Sequence, residues 1–129
     1  MRFESLSPVI NVEEIEPCLP FWTERLGFAL VAQVSHDARL GFAMLVRDDL
    51  SVMYQSFAAA EADVPGVVAH DQPPGTGLFF VVSDFDALLK ALEGAEVVVP
   101  ERQTSYAERE IAVRAPCGTI VGFAFGLDD

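Results

Sequence analysis

The chain has 129 residues, 51% of them hydrophobic, and its 20 acidic side chains outweigh 8 basic ones to leave a net charge of −12. That length and apolar content fit one domain with a substantial core and exclude a disordered chain. The acidic balance argues against nucleic acid as a partner, because a phosphate backbone rewards Lys and Arg.

No stretch approaches the ~20 apolar residues of a membrane span, and Met1-Arg2-Phe3-Glu4 has no signal-peptide pattern. Cys18 and Cys117 supply no disulfide framework. The expectation is a cytoplasmic protein with reduced thiols and no membrane partner. The surplus of acid either keeps it soluble or draws cationic small molecules to it.

In chain order, Pro8-Val9-Ile10-Asn11-Val12 reads as a first strand. A helix starts near Pro17–Leu19, where proline is tolerated because first-turn N–H groups have no partner within the helix. Ile15, Leu19, Trp22 and Leu26 then share one face, and Gly27 ends it. Strands follow at about Phe28–Val34, Leu40–Val46 and Leu50–Phe57, with turns at Ser35-His36-Asp37-Ala38 and Arg47-Asp48-Asp49. Residues 58–76 hold alanines, acidic groups, Pro65-Gly66 and Pro73-Pro74-Gly75, and read as a short helix or an irregular linker.

Leu78-Phe79-Phe80-Val81-Val82 opens a second series. Ser83 and Asp86 form a Ser-x-x-Asp capping pattern, and Phe85, Leu88, Leu89 and Leu92 recur at helical spacing over Asp84–Leu92, with Gly94 closing the helix. Strands near Glu96–Val99, Arg109–Arg114 and Thr119–Phe125 complete it. Residues 8–57 and 77–125 therefore repeat one order, strand, helix, three strands, roughly 70 residues apart. Module one is placed at residues 5–58, a linker at 59–76 and module two at 77–127, together one domain of α+β class over 1–129. A half that cannot bury its own apolar face packs on its twin, and the seam between twins is a natural place for a ligand.

Three segments carry a resemblance. Pro8-Val9-Ile10-Asn11-Val12 followed by Phe21-Trp22-Thr23-Glu24-Arg25-Leu26-Gly27-Phe28 resembles the opening strand and helix of bleomycin-binding proteins. Tyr106-Ala107-Glu108-Arg109-Glu110 resembles a Tyr-Gly-x-Arg-Glu segment, and Ala115-Pro116-Cys117-Gly118 stands at an Asp-Pro-x-Gly turn with two of four residues changed. The chain is thus similar to the vicinal oxygen chelate superfamily, which includes glyoxalase I, extradiol dioxygenases, and the fosfomycin- and bleomycin-resistance proteins. The resemblance implies two βαβββ modules forming a curved mixed β-sheet cup, assembled as a homodimer.

It also implies where a metal would sit, since the superfamily's enzymes hold a divalent cation with His, Glu or Gln at four places. Those places fall on Ser7, Met53, Gly77 and Gly122. A thioether favours soft ions, a serine hydroxyl is a poor neutral donor and glycine has no side chain. A metal-dependent glyoxalase or dioxygenase reading therefore fails on chemistry, and no metal or cofactor is expected. His36 and His70, each beside an aspartate (Asp37 and Asp71), read as solvated loop histidines.

Alternation along the strands then assigns the cup's lining. Ser7, Val9, Asn11, Met53 and Gln55 come from module one; Gly77, Phe79, Val81, Glu110, Ala112, Ile120 and Gly122 come from module two. The candidate ligand-binding residues are Asn11, Met53, Gln55, Phe79, Tyr106 and Glu110, a mostly apolar set with a few polar handles. Tyr106 is placed at the mouth, able to stack on a planar or cationic ligand.

Plainer roles stand beside these. Phe79 and Met53 fill core where a metal once sat, Glu110 pairs with Arg109 or Arg39, Asn11 satisfies backbone groups, and Tyr106 is a strand-end aromatic. No Ser or Cys has a partner spaced for nucleophilic catalysis. Glu110 is the one candidate general base, on the expectation that burial beside Phe79 raises its pKa.

The function expected is a metal-free, dimeric binding protein that sequesters a small aromatic compound, cationic or neutral. The alternatives are a metal-independent isomerase or lyase using Glu110, metal catalysis through unconventional ligands, and a plain interaction module whose cup is filled by its own side chains.

Overall fold

The computed structural model describes residues 1–66, 68 and 77–127, excepting the side chains of Cys117 and Leu127. His70, Asp71 and Pro73-Pro74-Gly75 lie outside the described residues, as does the thiol of Cys117. The chain divides into two compact units, Met1–Gln72 and Pro73–Asp129.

In the first unit, β1 (Val9–Val12) alternates exposed Val9, buried Ile10, half-buried Asn11 and buried Val12, as a strand covered on one face must. The next segment departs from the single α-helix its periodicity predicts. Glu16–Cys18 is a 3₁₀ turn and Phe21–Arg25 is wound one residue wide, in the π manner. Pro20 accounts for the first departure, since it lacks the N–H that an α-helix would bond to the Glu16 carbonyl, which takes the Leu19 N–H instead. Phe21 and Trp22 both enter the core, whereas Leu19, assigned to the buried stripe, stays half-exposed. Gly27 ends the segment at φ +71°, and the Phe28 N–H donates to the Trp22 carbonyl at 2.9 Å. That loop spans one residue more than an ordinary Schellman stop, as the wide winding requires.

Trp22 organises this core. Its ring meets Phe21 and Phe28 edge to face, at centroid separations of 5.3 and 5.1 Å. Its indole N–H donates to the Tyr54 hydroxyl at 2.8 Å, and both residues are fully buried. Tyr54 lies on β4 (Leu50–Ser56), which pairs in parallel with β1 and antiparallel with β3 (Arg39–Arg47); β3 in turn pairs with β2 (Ala29–His36). The order β1-β4-β3-β2 gives a mixed sheet. Ile10, Val12, Ala43, Leu45, Val52 and Tyr54 form its covered face.

The start of the linker is helical. In α1 (Phe57–Asp63) the Ser56 hydroxyl accepts from the Ala59 N–H at 3.1 Å. Gly41 of β3 permits the close approach there: a Cβ on it would stand 2.7 Å from His36 Cβ and 3.0 Å from Ala59 Cβ.

The second unit repeats the first strand for strand. β5 (Leu78–Val81), β6 (Glu96–Arg102), β7 (Ala107–Arg114) and β8 (Ile120–Leu127) lie in the order β5-β8-β7-β6, with β5 and β8 parallel. The helix α2 (Phe85–Ala91) is capped by Asp84 rather than Ser83, the Asp84 carboxylate accepting from the Ala87 N–H at 3.0 Å. Asp84 is the last extended residue, and its charge at the helix start adds to the cap. Phe85, Leu88 and Leu92 are buried, as are Ile111, Val113, Val121 and Phe123 of the sheet.

β6 continues past Val99, its expected end, to Arg102. It is an edge strand, where proline is tolerated, and the register shifts between Val99 and Arg102. Two mixed four-stranded sheets with helical segments, the βαβββ pattern twice over, are therefore present. Among the described residues no helix is long and apolar enough to cross a membrane.

Tyr54→Phe removes the hydroxyl that accepts from the Trp22 N–H and should cost about 1–3 kcal/mol, read as a lower urea midpoint with an unchanged m-value. An unchanged midpoint would show that this bond does not hold the first core together.

Candidate functional site

Each sheet has one covered face and one open face, and the candidate residues sort onto the open ones. On the first sheet the parallel register sets Val9 opposite Met53 and Asn11 opposite Gln55. Met53, Gln55 and Asn11 are half-buried, in antiphase with the buried Val52, Tyr54 and Val12. Phe42 and Met44 of β3 carry the same face onward, paired with Gln55 and Met53; alternation reaches them as directly as it reaches Met53. The side-chain oxygen of Asn11 accepts from no backbone N–H: it is buried with no hydrogen-bond partner among the described residues.

On the second sheet Phe79 pairs with Gly122, and Gly122 with Ala112; Val81 pairs with Ala124, and Ala124 with Glu110. Phe79 is 54% exposed, so it is not core packing. A Cβ on Gly122 would stand 3.3 Å from the Phe79 ring. The ring lies across the position left empty by that glycine.

Glu110, 6% exposed, is the most enclosed polar group on this face. One carboxylate oxygen accepts from Arg102 Nε at 2.9 Å, and Arg102 Nη2 stands 2.8 Å from it as an ion pair. The other accepts from the Tyr106 hydroxyl. Arg102 and Glu110 are cross-strand partners, the arrangement in which opposite charges stabilise a sheet. Tyr106 is held by the turn before β7, where Thr104 Oγ1 accepts from the Tyr106 N–H at 3.3 Å and the Ala107 N–H at 3.0 Å. The residue stays 44% exposed.

These contacts correct two expectations. Glu110 pairs with Arg102, not with Arg109 or Arg39. Arg109 reaches Glu101 at 2.7 Å and Asp86 at 2.9 Å, above the Phe85 ring, while Arg39 pairs with Glu14. The pKa of Glu110 is lowered rather than raised: the Tyr106 hydroxyl and the Arg102 guanidinium favour the carboxylate by more than burial opposes it. Tyr106 is correspondingly pushed up by its bond to Glu110. A carboxylate with both oxygens engaged and its pKa depressed is a weak proton acceptor. Ending β6 at Val99 hid Arg102, and the signal that finds it is the register carried two residues past Pro100.

The four places implied for a metal can be tested on their donors. The hydroxyl of Ser7 is hydrogen-bonded to that of Ser51, Met53 offers a thioether, and Gly77 and Gly122 offer no side chain. Such a set does not fit zinc, nickel, iron or manganese. Among the described residues no three His, Cys, Asp or Glu side chains cluster as a cation would need. His36 stands beside Asp37, 3.5 Å away, at the β2–β3 turn.

A family model described as Glyoxalase/Bleomycin resistance protein/Dioxygenase superfamily matches residues 5–123. Among solved structures, TnmS3, an antibiotic binding protein from Streptomyces sp. CB03234, is 20% identical with a TM-score of 0.72, covering 98% of each chain. TioX from Micromonospora sp. ML1 is 18% identical with a TM-score of 0.76, over 97% of this chain and 100% of that one. Lactoylglutathione lyase from Agrobacterium tumefaciens is 13% identical with a TM-score of 0.72, over 95% and 93%. These likenesses show the fold. No curated protein matches the sequence.

The depressed pKa of Glu110 sets a pH dependence. Its ionised form contributes stability that is fully present above the ordinary glutamate value of 4.5 and is lost as pH falls through the lower folded-state value. Glu110→Gln should therefore lower the urea midpoint at pH 7 and flatten the loss of stability between pH 5 and pH 3. Parallel acid profiles for the two proteins would show that the Tyr106–Glu110–Arg102 set contributes nothing.

Proposed function

The chain belongs to the Glyoxalase/Bleomycin resistance protein/Dioxygenase superfamily, and from that premise we propose that it is a metal-free binding protein that sequesters a small aromatic compound, cationic or neutral. The observation that carries this reading is aromatic surface where a cation cage would stand: Phe79 lies exposed across Gly122. Asn11, Met53 and Gln55 on the first sheet, and Tyr106 and Glu110 on the second, are the further groups proposed to meet the ligand, a few polar atoms in an apolar lining. TnmS3, described as an antibiotic binding protein, has the same fold, which supports capture as a role this scaffold performs. An isomerase or lyase would need Glu110 as its base, and the engagement of both its oxygens speaks against that role.

We also propose that the two modules act as one cytoplasmic domain working as a homodimer. The outer strand β2 supports a dimer: Leu30, Val31 and Val34 are exposed along it, a surface that a second copy would cover.

Calorimetric titration with bleomycin and a panel of planar aromatic cations and neutral compounds tests the main reading. At least one should bind with a Kd near or below about 1 μM, and Phe79→Ala should weaken it roughly threefold to tenfold. No binding across the panel overturns sequestration. Elemental analysis of protein purified without chelators should find no stoichiometric metal; one equivalent of zinc, nickel, iron or manganese overturns the metal-free assignment.

A further inference from the structure

Asn11 breaks a rule that the rest of the first sheet keeps. Buried polar atoms are almost always hydrogen-bonded, because losing water without gaining a partner is costly. The side-chain oxygen of Asn11 is buried and accepts from nothing among the described residues. A valine at this position would suit the strand and remove the cost. Directly opposite in the parallel register stands Gln55, half-buried on the same face, its amide forming no bond with that oxygen. The pair flanks the apolar row of Val9, Met53 and Met44. Two neutral amides beside an apolar row can grip the polar edge of a flat molecule, and neither carries a charge with which to select a cation.

We propose that Asn11 selects the ligand of this face by accepting a hydrogen bond from an N–H or O–H donor on a bound aromatic compound, with Gln55 bonding the same edge. The inference rests on the sequestration reading and adds to it the kind of group the ligand must carry. A protonated amine, an anilide or a phenol qualifies. A quaternary ammonium or an aryl ether of the same size does not. The oxygen is screened from water in the free protein, so accepting from a ligand requires the amide to turn toward it.

The test compares matched probes by calorimetry: 2-naphthol with 2-methoxynaphthalene, and 2-naphthylmethylammonium with its N,N,N-trimethyl derivative. The donor-bearing member of each pair should bind about tenfold more tightly. Asn11→Val should reduce that preference to less than twofold while raising the thermal midpoint of the ligand-free protein. Asn11→Asp, which keeps an acceptor, should retain the preference.

Equal binding of both members of each pair by the unmodified protein overturns the inference and leaves sequestration standing. So does an Asn11→Val protein that keeps the preference, or one destabilised as by loss of a made hydrogen bond. If neither member of either pair binds, nor any compound of the wider panel, sequestration fails and the inference falls with it.

Discussion

Helical segments laid on a four-stranded sheet cover one face and leave the other uncovered. Side chains alternate between the faces, so this constraint sorts the residues of the inner strands into core or open face. In the first unit the covered face closes on Trp22 through its bond to Tyr54, and Val52 and Tyr54 go under while Met53 and Gln55 stay out. In the second, Val121 and Phe123 go under α2 while Gly122 stays out beneath Phe79. One registry thus positions both the core and the residues a ligand could meet.

The chemistry follows from what occupies those outward positions. Carboxylates and imidazoles there would hold a cation; a thioether, a bonded hydroxyl and two glycines do not. The buried carboxylate on the second open face, Glu110, is neutralised from within, by Arg102 and Tyr106. What remains free is aromatic and amide surface, which suits recognition better than bond-breaking. Fold alone does not decide between these uses.

The duplicated strand order and the open-face assignments were legible in the sequence because both rest on a period of two, which apolar patterning records directly. Features that rest on contacts between distant residues were not. The winding of the first helical segment depends on which carbonyl Pro20 deprives of a donor, and periodicity, which assumes α geometry, put Leu19 on the buried stripe in place of Phe21. The helix cap moved from Ser83 to Asp84 because capping belongs to whichever residue is last extended. The partner of Glu110 was missed because strand length, and hence cross-strand register, ran past a proline that is tolerated only on an edge. The orphaned oxygen of Asn11 was beyond any pattern, since it is defined by the absence of a neighbour.

The outermost strands of the two sheets differ in how they guard against unwanted association. β6 carries Pro100 with Glu96, Glu101 and Arg102 around it, and interrupted, charged edges resist pairing with other chains. β2 runs Ala29-Leu30-Val31-Ala32-Gln33-Val34-Ser35-His36 with no proline and no acidic or basic residue other than its terminal histidine. β2 is therefore the edge at which chains could add to one another strand by strand, tending toward fibrillar growth, while β6 carries its own deterrent.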